Sequence, residues 1–264
     1  MGPSPLSAEI DVTTRALLLL PPSKGKSTGG DGYAFATTLT RGSPLTSGRC
    51  EVLAAVVAAA PGLDDAQVVR IGGVRRDQAP ATRALLAGLD TAPTMPTHRR
   101  YTGIVHGNAG LADLDPSRMD VDVRIVSALM GLVALDEPLP EYRLEFSASL
   151  PGLGGIATFW RRHAAEHLRN LATDRRVWDL LPAVHARIWS ASTRRDVDCV
   201  DVRFLRPDGR PANAARTKVA KGRLAAFLIA HPDVTPREVA GAVDVGPGWT
   251  IASEGQGVVA TCDL

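Results

Sequence analysis

The chain has 264 residues, 45% of them apolar and 22% charged, with 30 Lys and Arg against 28 Asp and Glu for a formal net charge of +2. Such a balance belongs to an ordinary globular protein long enough to bury a core, and it excludes collagen-like, coiled-coil and membrane-spanning chains, because no run reaches the roughly 20 apolar residues a bilayer demands. Three widely spaced cysteines, Cys50, Cys199 and Cys262, fit a reducing compartment and neither a disulfide framework nor a zinc knuckle.

Residues 1–14 read as a loose polar leader without the basic and apolar regions of a secretory signal. Arg15 to Leu20 predicts a buried strand stopped by Pro21-Pro22. Ser23 to Ser43, rich in Gly, Ser and Thr, predicts a loop long enough to suggest a functional segment. Helices are expected over Ser47 to Ala60, Asp64 to Ile71 and Ala81 to Leu89. Tyr101 to His106 reads as a β-type run closing at Gly107-Asn108, Val121 to Met130 as a central strand, and Glu141 to Ser149, by its alternation, as a half-buried strand.

Leu153 to Leu171 is the clearest helix, with Ile156, Phe159, Trp160, Ala164, His167, Leu168 and Leu171 on one face. Short strands at Val177 to Leu180 and Cys199 to Leu205 follow, then a basic amphipathic helix over Asn213 to Ile229. Thr235-Pro236-Arg237-Glu238 carries an N-cap, a Pro at N1 and a Glu at N3, and Trp249 to Thr261 is β-like. No regular βαβ rhythm and no convincing linker are visible. The fold expected is therefore α+β, one compact domain over residues 15–264 with a mixed sheet and flanking helices.

Basic residues are unevenly distributed in kind and place. Only four of the 30 are Lys, in two tight pairs, Lys24/Lys26 and Lys218/Lys221; the rest are Arg. Where composition favours Arg, a retained Lys points to a need for a compact ammonium or one able to lose its proton. Between Trp160 and Ala225 stand 15 Arg and Lys against 7 Asp and Glu, a basic C-terminal half expected of a chain with a phosphate-bearing partner.

Two motifs fail on inspection. Ser23-Lys24-Gly25-Lys26-Ser27 follows a strand as a phosphate loop does, but the first glycine of a Walker A pattern is replaced by Leu20, and Pro21-Pro22 remove the N–H donors such a loop needs. It remains a candidate small anion site. His163-Ala-Ala-Glu-His167 matches the inverted zinc-protease motif, yet His167 falls on the apolar face and a third ligand is supplied only by Glu238, far along the chain. No metal is expected. Lys218, Lys221 and Arg223, with Arg216, form the densest positive point, and on a helix Lys218 and Lys221 are neighbours able to converge on one anion.

Taken in order, eight segments carry a family resemblance: Leu17-Leu-Leu-Leu-Pro-Pro-Ser-Lys24, Gly29-Gly-Asp-Gly32, Arg100-Tyr-Thr-Gly-Ile104, Val126-Ser-Ala-Leu-Met-Gly-Leu132, Pro140-Glu-Tyr-Arg-Leu144, Leu150-Pro-Gly-Leu-Gly154, Phe159-Trp160 and Lys218-Val-Ala-Lys-Gly-Arg223. Over residues 16 to 230 the chain resembles the YaaA-like (DUF328, UPF0246) peroxide stress proteins. The resemblance implies a compact α+β fold peculiar to that family, a cytoplasmic location, and a part in limiting oxidative damage that involves nucleic-acid binding. Positions it carries over are Ser23, Lys24, Tyr101, Thr102, Gly103, Ser127, Tyr142, Arg143, Trp160, Lys218, Lys221 and Arg223, whose hydroxyls, phenols and cations suit a cleft for a phosphate or carboxylate.

The sequence also departs from the family's pattern. His106 stands where a Tyr is usual, Ala134-Leu135 where Arg-Pro is usual, and Leu181, Pro182 and His185 occupy a stretch that usually carries a small Ser-containing pair and a Tyr. Arg216-Thr217 likewise replaces the common segment before Lys218. Such changes fit either neutral drift or a paralogue whose cleft is retuned for another ligand, with His106 and His185 as new imidazoles. The leading expectation is a cytoplasmic, non-membrane protein that binds a phosphate-bearing ligand, nucleic acid or nucleotide, through its Arg-rich half. The alternative is a small-molecule enzyme acting on a nucleotide or amino-acid-like substrate. There Lys24, Lys26, Lys218 and Lys221 would hold the anion, His106 or His185 would serve as acid or base, and Lys24 and Tyr142 are further candidates for the chemical step. No cofactor is specified by the sequence.

Overall fold

The computed structural model describes residues 15–39 and 43–262; the predicted leader lies outside them. At its centre is β1 (Ala16–Leu20), buried along its whole length. It is an apolar run because both its faces are buried, and strands cover both its edges: β2 (Val121–Ser127) and β4 (Val177–Asp179) pair with it in parallel, Leu20 opposite Ile125 and Leu19 opposite Asp179. β3 (Gly131–Ala134) turns back antiparallel on β2. On the other side β5 (Cys199–Leu205) is parallel to β4, and the hairpin of β6 (Trp249–Glu254) and β7 (Gly257–Cys262) lays β7 parallel on β5. The sheet therefore runs β6-β7-β5-β4-β1-β2-β3. It is a mixed seven-stranded sheet in an α+β protein, with parallel strands in the middle and an antiparallel strand at each edge.

The chain leaves β1 toward β2 on one side and later returns to β4 on the other, so β1 is where the strand order reverses. A crevice is expected there, outside the carboxyl ends of the parallel strands.

Helices α1 (Thr46–Ala59), α2 (Asp65–Gly72) and α3 (Ala79–Ala87) match the predicted ones within two residues. Asp64 and Gln67 close a capping box at the start of α2. The predicted strand at Tyr101 to His106 is not formed. Tyr101 is extended and makes one antiparallel bridge, to Lys26, after which Gly103 caps the short helix α4 (Ile104–Asn108). Packing overrides the β-branched run here: α4 buries Val105 and His106 against its neighbours, a service no lone strand without a ladder could provide. Glu141 to Ser149 is likewise no strand, apart from Ser149 pairing with Gly155. Its backbone is spent elsewhere, Glu145 N–H on Ile71 C=O at 2.7 Å, and Tyr142 and Phe146 are the buried anchors.

Helix α5 (Ile156–Ala172) buries Ile156, Phe159, Trp160, Ala164 and Leu168, one apolar stripe at helical spacing. Helix α6 (Ala214–Ala230) is capped by the Asn213 side chain, which accepts from the Ala215 and Arg216 N–H groups. Helix α7 (Pro236–Ala242) opens with the predicted Thr235/Glu238 capping box. Among the described residues no helix is long and apolar enough to cross a membrane.

Candidate functional site

Past the end of β1 the chain makes the Ser23–Lys26 turn, and three devices hold it. Arg100, fully buried, donates to the Ser27 C=O at 2.5 Å, to Gly29 at 2.7 Å and to Leu139 at 3.1 Å. Thr102 N–H donates to Gly25 C=O at 3.1 Å. Ser23 is packed so closely on Gly103 that a Cβ at that glycine would lie 2.0 Å from the Ser23 hydroxyl oxygen. Only a residue without a side chain lets the two segments meet.

This arrangement turns Lys26 inward and Lys24 outward. Lys24 is 76% exposed and pairs with Glu145 at 2.8 Å. Lys26 is half-buried; its Nζ donates to Ser23 C=O at 2.8 Å and lies 4.2 Å from the ring centre of Tyr142 and 5.3 Å from that of Tyr101. Behind the rings runs a chain of hydroxyls, Tyr101 to Tyr142 at 2.7 Å and Tyr142 to Ser127 at 2.9 Å, and Ser127 also accepts from the Leu129 and Met130 N–H groups at the turn after β2. Arg143 closes one side, donating to the Lys24 C=O and standing 3.6 Å from Glu141.

Burial sets the protonation of this cluster. It lowers the Lys26 ammonium to about 7, helped by the Arg143 charge and opposed by Glu145 and Glu141. Both phenols are pushed above their ordinary value by desolvation and stay protonated donors. His106 sits against Tyr101 with ring centres 5.1 Å apart, and neither ring nitrogen has a hydrogen-bond partner among the described residues. Desolvation, then the charge on Lys26, hold it down to about 3, so it is neutral at physiological pH.

A second cluster stands over the neighbouring strand end. Lys221, on α6, is 7% exposed, donates to the Leu180 C=O just past β4, and lies 5.5 Å from the Phe204 ring centre. Leu180 in turn donates to Leu19 C=O, which ties the two strand ends together at 3.1 Å. Burial lowers Lys221 to about 8 against the pull of Asp179. Asp179, buried at the last position of β4, is raised by desolvation; it accepts from Leu181 N–H at 2.8 Å and pairs with Arg194 at 2.9 Å. His185, beside the Phe146 ring at 5.3 Å, is lowered to about 4 by burial and then by Lys221. Helix α4 links the clusters: it carries His106 and touches α6 at Gly222, where a Cβ would come within 2.6 Å of Val105 C=O.

Thus one lysine of each pair is turned in and the other out, since Lys218 is exposed. Ser23, Lys26, Tyr101, Gly103, Ser127, Tyr142 and His106 come together, with Thr102 and Arg143 at the rim; Lys221 and His185 form the second group. Trp160 is fully buried and spends its indole N–H on Ala128 C=O at 2.8 Å, behind the Ser127 turn. Arg216 and Arg223 lie against the 246–248 loop, Arg216 donating to Pro247 C=O at 2.9 Å. His163 is exposed and stacks on Phe159 at 4.1 Å. Arg100, Asp179 and Arg194 were not among the predicted site residues. The signal for Asp179 was a lone carboxylate ending an apolar strand; Arg100 gave none beyond its place beside Tyr101.

Of the arginines in the basic half, Arg175, Arg176, Arg194, Arg203, Arg206 and Arg210 are engaged in ion pairs with acidic neighbours. An open groove of about 610 Å³ lies at the opposite, amino ends of the strands, lined by Asp174, Arg175, Arg176, Asp196 and Asp198, and in it Arg176 pairs with Asp198 at 3.3 Å.

Fold and site together define a protein with a mixed sheet whose parallel centre carries buried amines and phenols above the reversal point of the strand order. Residues 17–246 match the family model described as Peroxide stress protein YaaA, and the chain belongs to that family. It is 32% identical over 220 residues to a UPF0246 protein of Streptomyces coelicolor, covering 81% of this chain and 83% of that one. A UPF0246 protein of Corynebacterium glutamicum is 30% identical over 218 residues, 80% and 84% of the two chains. One of Corynebacterium efficiens is 34% identical over 140 residues, 53% and 54%.

Proposed function

We propose that the chain binds a small phosphate- or carboxylate-bearing ligand at the carboxyl ends of β1 and β4 and acts on it with Lys26 as the acid–base group. The observation that carries this reading is the pair of inward-turned lysines, Lys26 and Lys221, over adjacent strand ends at the reversal point of the sheet. Ammonium groups with so few acceptors are costly in such a place unless an anion completes them. An amine near neutrality can both give and take a proton at physiological pH. His106 and His185, held neutral well below that range, serve as apolar walls and acceptors in this reading.

Nucleic-acid binding is the second reading. It is favoured by the exposed cations Arg161, Arg162 and Arg169 on α5, which form no ion pair among the described residues. Calorimetry separates the two with pyrophosphate and a short DNA duplex as probes. The first reading expects pyrophosphate affinity to fall about tenfold or more in Lys26→Met and in Lys221→Met and to survive Arg161→Ala/Arg162→Ala. Duplex binding that weakens steeply with salt and follows the α5 arginines, with pyrophosphate indifferent to both lysines, would replace it with the second.

A further inference from the structure

We propose that Lys26 is an imine-forming amine, a nucleophile for small carbonyl compounds, held between the faces of Tyr101 and Tyr142. The proposal rests on reading the strand-end crevice as a ligand site, and it adds the class of ligand: an aldehyde or ketone bearing an anionic group, such as a 2-oxo acid.

The four lysines differ in what they leave available. Lys24 is committed to Glu145 at 2.8 Å. Lys221 is enclosed, its Nζ on the Leu180 C=O and its side chain almost without solvent contact. Lys218 stands on the outer surface. Lys26 alone combines partial exposure with an aromatic cage, and among the described residues no carboxylate lies within ion-pair distance of it. Its one named acceptor is a neutral carbonyl, Ser23 C=O at 2.8 Å.

The charged and titratable groups around it act in both directions. Arg143 and Arg100 disfavour the ammonium, Glu145 and Glu141 favour it, and Tyr101, Tyr142 and His106 are neutral. Desolvation decides the balance, and a large share of the amine carries a free electron pair at pH 7. That pair attacks the carbonyl carbon and the C=O π electrons move to oxygen. The nitrogen then loses its protons, the oxygen gains two, and water departs, leaving C=N. No oxidant or reductant takes part. Arg143, at the rim, is placed to hold the carboxylate of an oxo acid.

The test treats the full chain with acetaldehyde or pyruvate, traps imines with borohydride, and maps the modified lysines by peptide mass. Because the four lysines compete within one molecule, no variant is required, and loss of folding in Lys26→Met cannot obscure the result. Lys26 is expected to be labelled at least about tenfold more than Lys24 or Lys218 at pH 7, with a pH midpoint near 7. Pyruvate outpacing acetaldehyde supports both the imine and the anion site. Labelling of Lys26 by acetaldehyde but not by pyruvate keeps the imine and removes the anionic group from the ligand. Lys26 labelled no faster than Lys24 and Lys218 by either probe overturns the proposal, while the pyrophosphate measurement judges the binding site separately.

Discussion

The ends of β1 and β4 present the same problem, a lysine turned into the protein, and solve it differently. At β4 the amine of Lys221 sits beside a carboxylate system, Asp179 with Arg194, and is almost sealed from solvent. At β1 the amine of Lys26 is faced by two phenol rings, repelled by Arg143 and still reached by solvent. Unequal burial and unequal charge compensation together separate a lysine that organises a strand end from one that is chemically available. Neither device could be anticipated from the charge count, because the same pairs also supply Lys24 and Lys218 to the surface.

The comparison is broken most severely at the loop that turns Lys26 inward. Arg100→Met leaves several buried carbonyls without their charged donor, and a loss of about 3–4 kcal/mol is expected in urea unfolding. A loss under about 1 kcal/mol would mean that the Ser27–Gly29 backbone does not depend on Arg100. Where α4 meets α6, Gly222→Ala drives a methyl into Val105 C=O and the Asn108 Cβ, and about 2 kcal/mol should be lost because backbone cannot give way as a side chain can.

Acid sharpens the contrast. An unfolded His106 binds a proton below about 6.5, whereas the folded one stays neutral until about 3, so stability is full above the first value and falls as pH drops toward the second. The slope is about 1.4 kcal/mol per pH unit for this one proton, and His106→Phe should flatten it in pH-dependent unfolding. The lysines act at the other end of the scale. Lys221 is protonated up to 10.5 when unfolded and only to about 8 when folded, so stability rises between those values. Lys221→Met should remove the Lys221 share of that rise while changing stability at pH 10.5 little, and leave the share of Lys26, which is protonated only to about 7 when folded. The smallest effect belongs to Lys24→Ala, within about 0.5 kcal/mol, since its ion pair is exposed.

Much of the scaffold was legible in the sequence because its signals are local. The five apolar residues of β1, the stripe on α5 and the Thr235/Glu238 box each state their own conformation. Tyr101 to His106 and Glu141 to Ser149 misled because alternation and β-branching describe side-chain faces, and a strand also needs a partner edge. The 101–106 run finds a helix to lie against, and the 141–149 run finds Ile71 and the Ser127 hydroxyl. At the site, the residue types were readable and their directions were not. Which lysine of a pair points inward depends on Ser23 meeting Gly103 and on Leu180 lying beside Leu19, contacts between segments more than seventy residues apart. Similarly, the charge count of the arginine-rich half does not tell which arginines are engaged, because some of their acidic partners, such as Asp122 and Glu254, come from distant strands.

The central claim is that the amine of Lys26 is an uncompensated charge site awaiting an anion. A nitrogen NMR titration of the Lys26 amine, without and with saturating pyrophosphate, tests it most directly. The account predicts a midpoint near 7 in the free protein, moving upward when the anion binds. A midpoint at the ordinary lysine value of 10.5, unmoved by pyrophosphate, would contradict it.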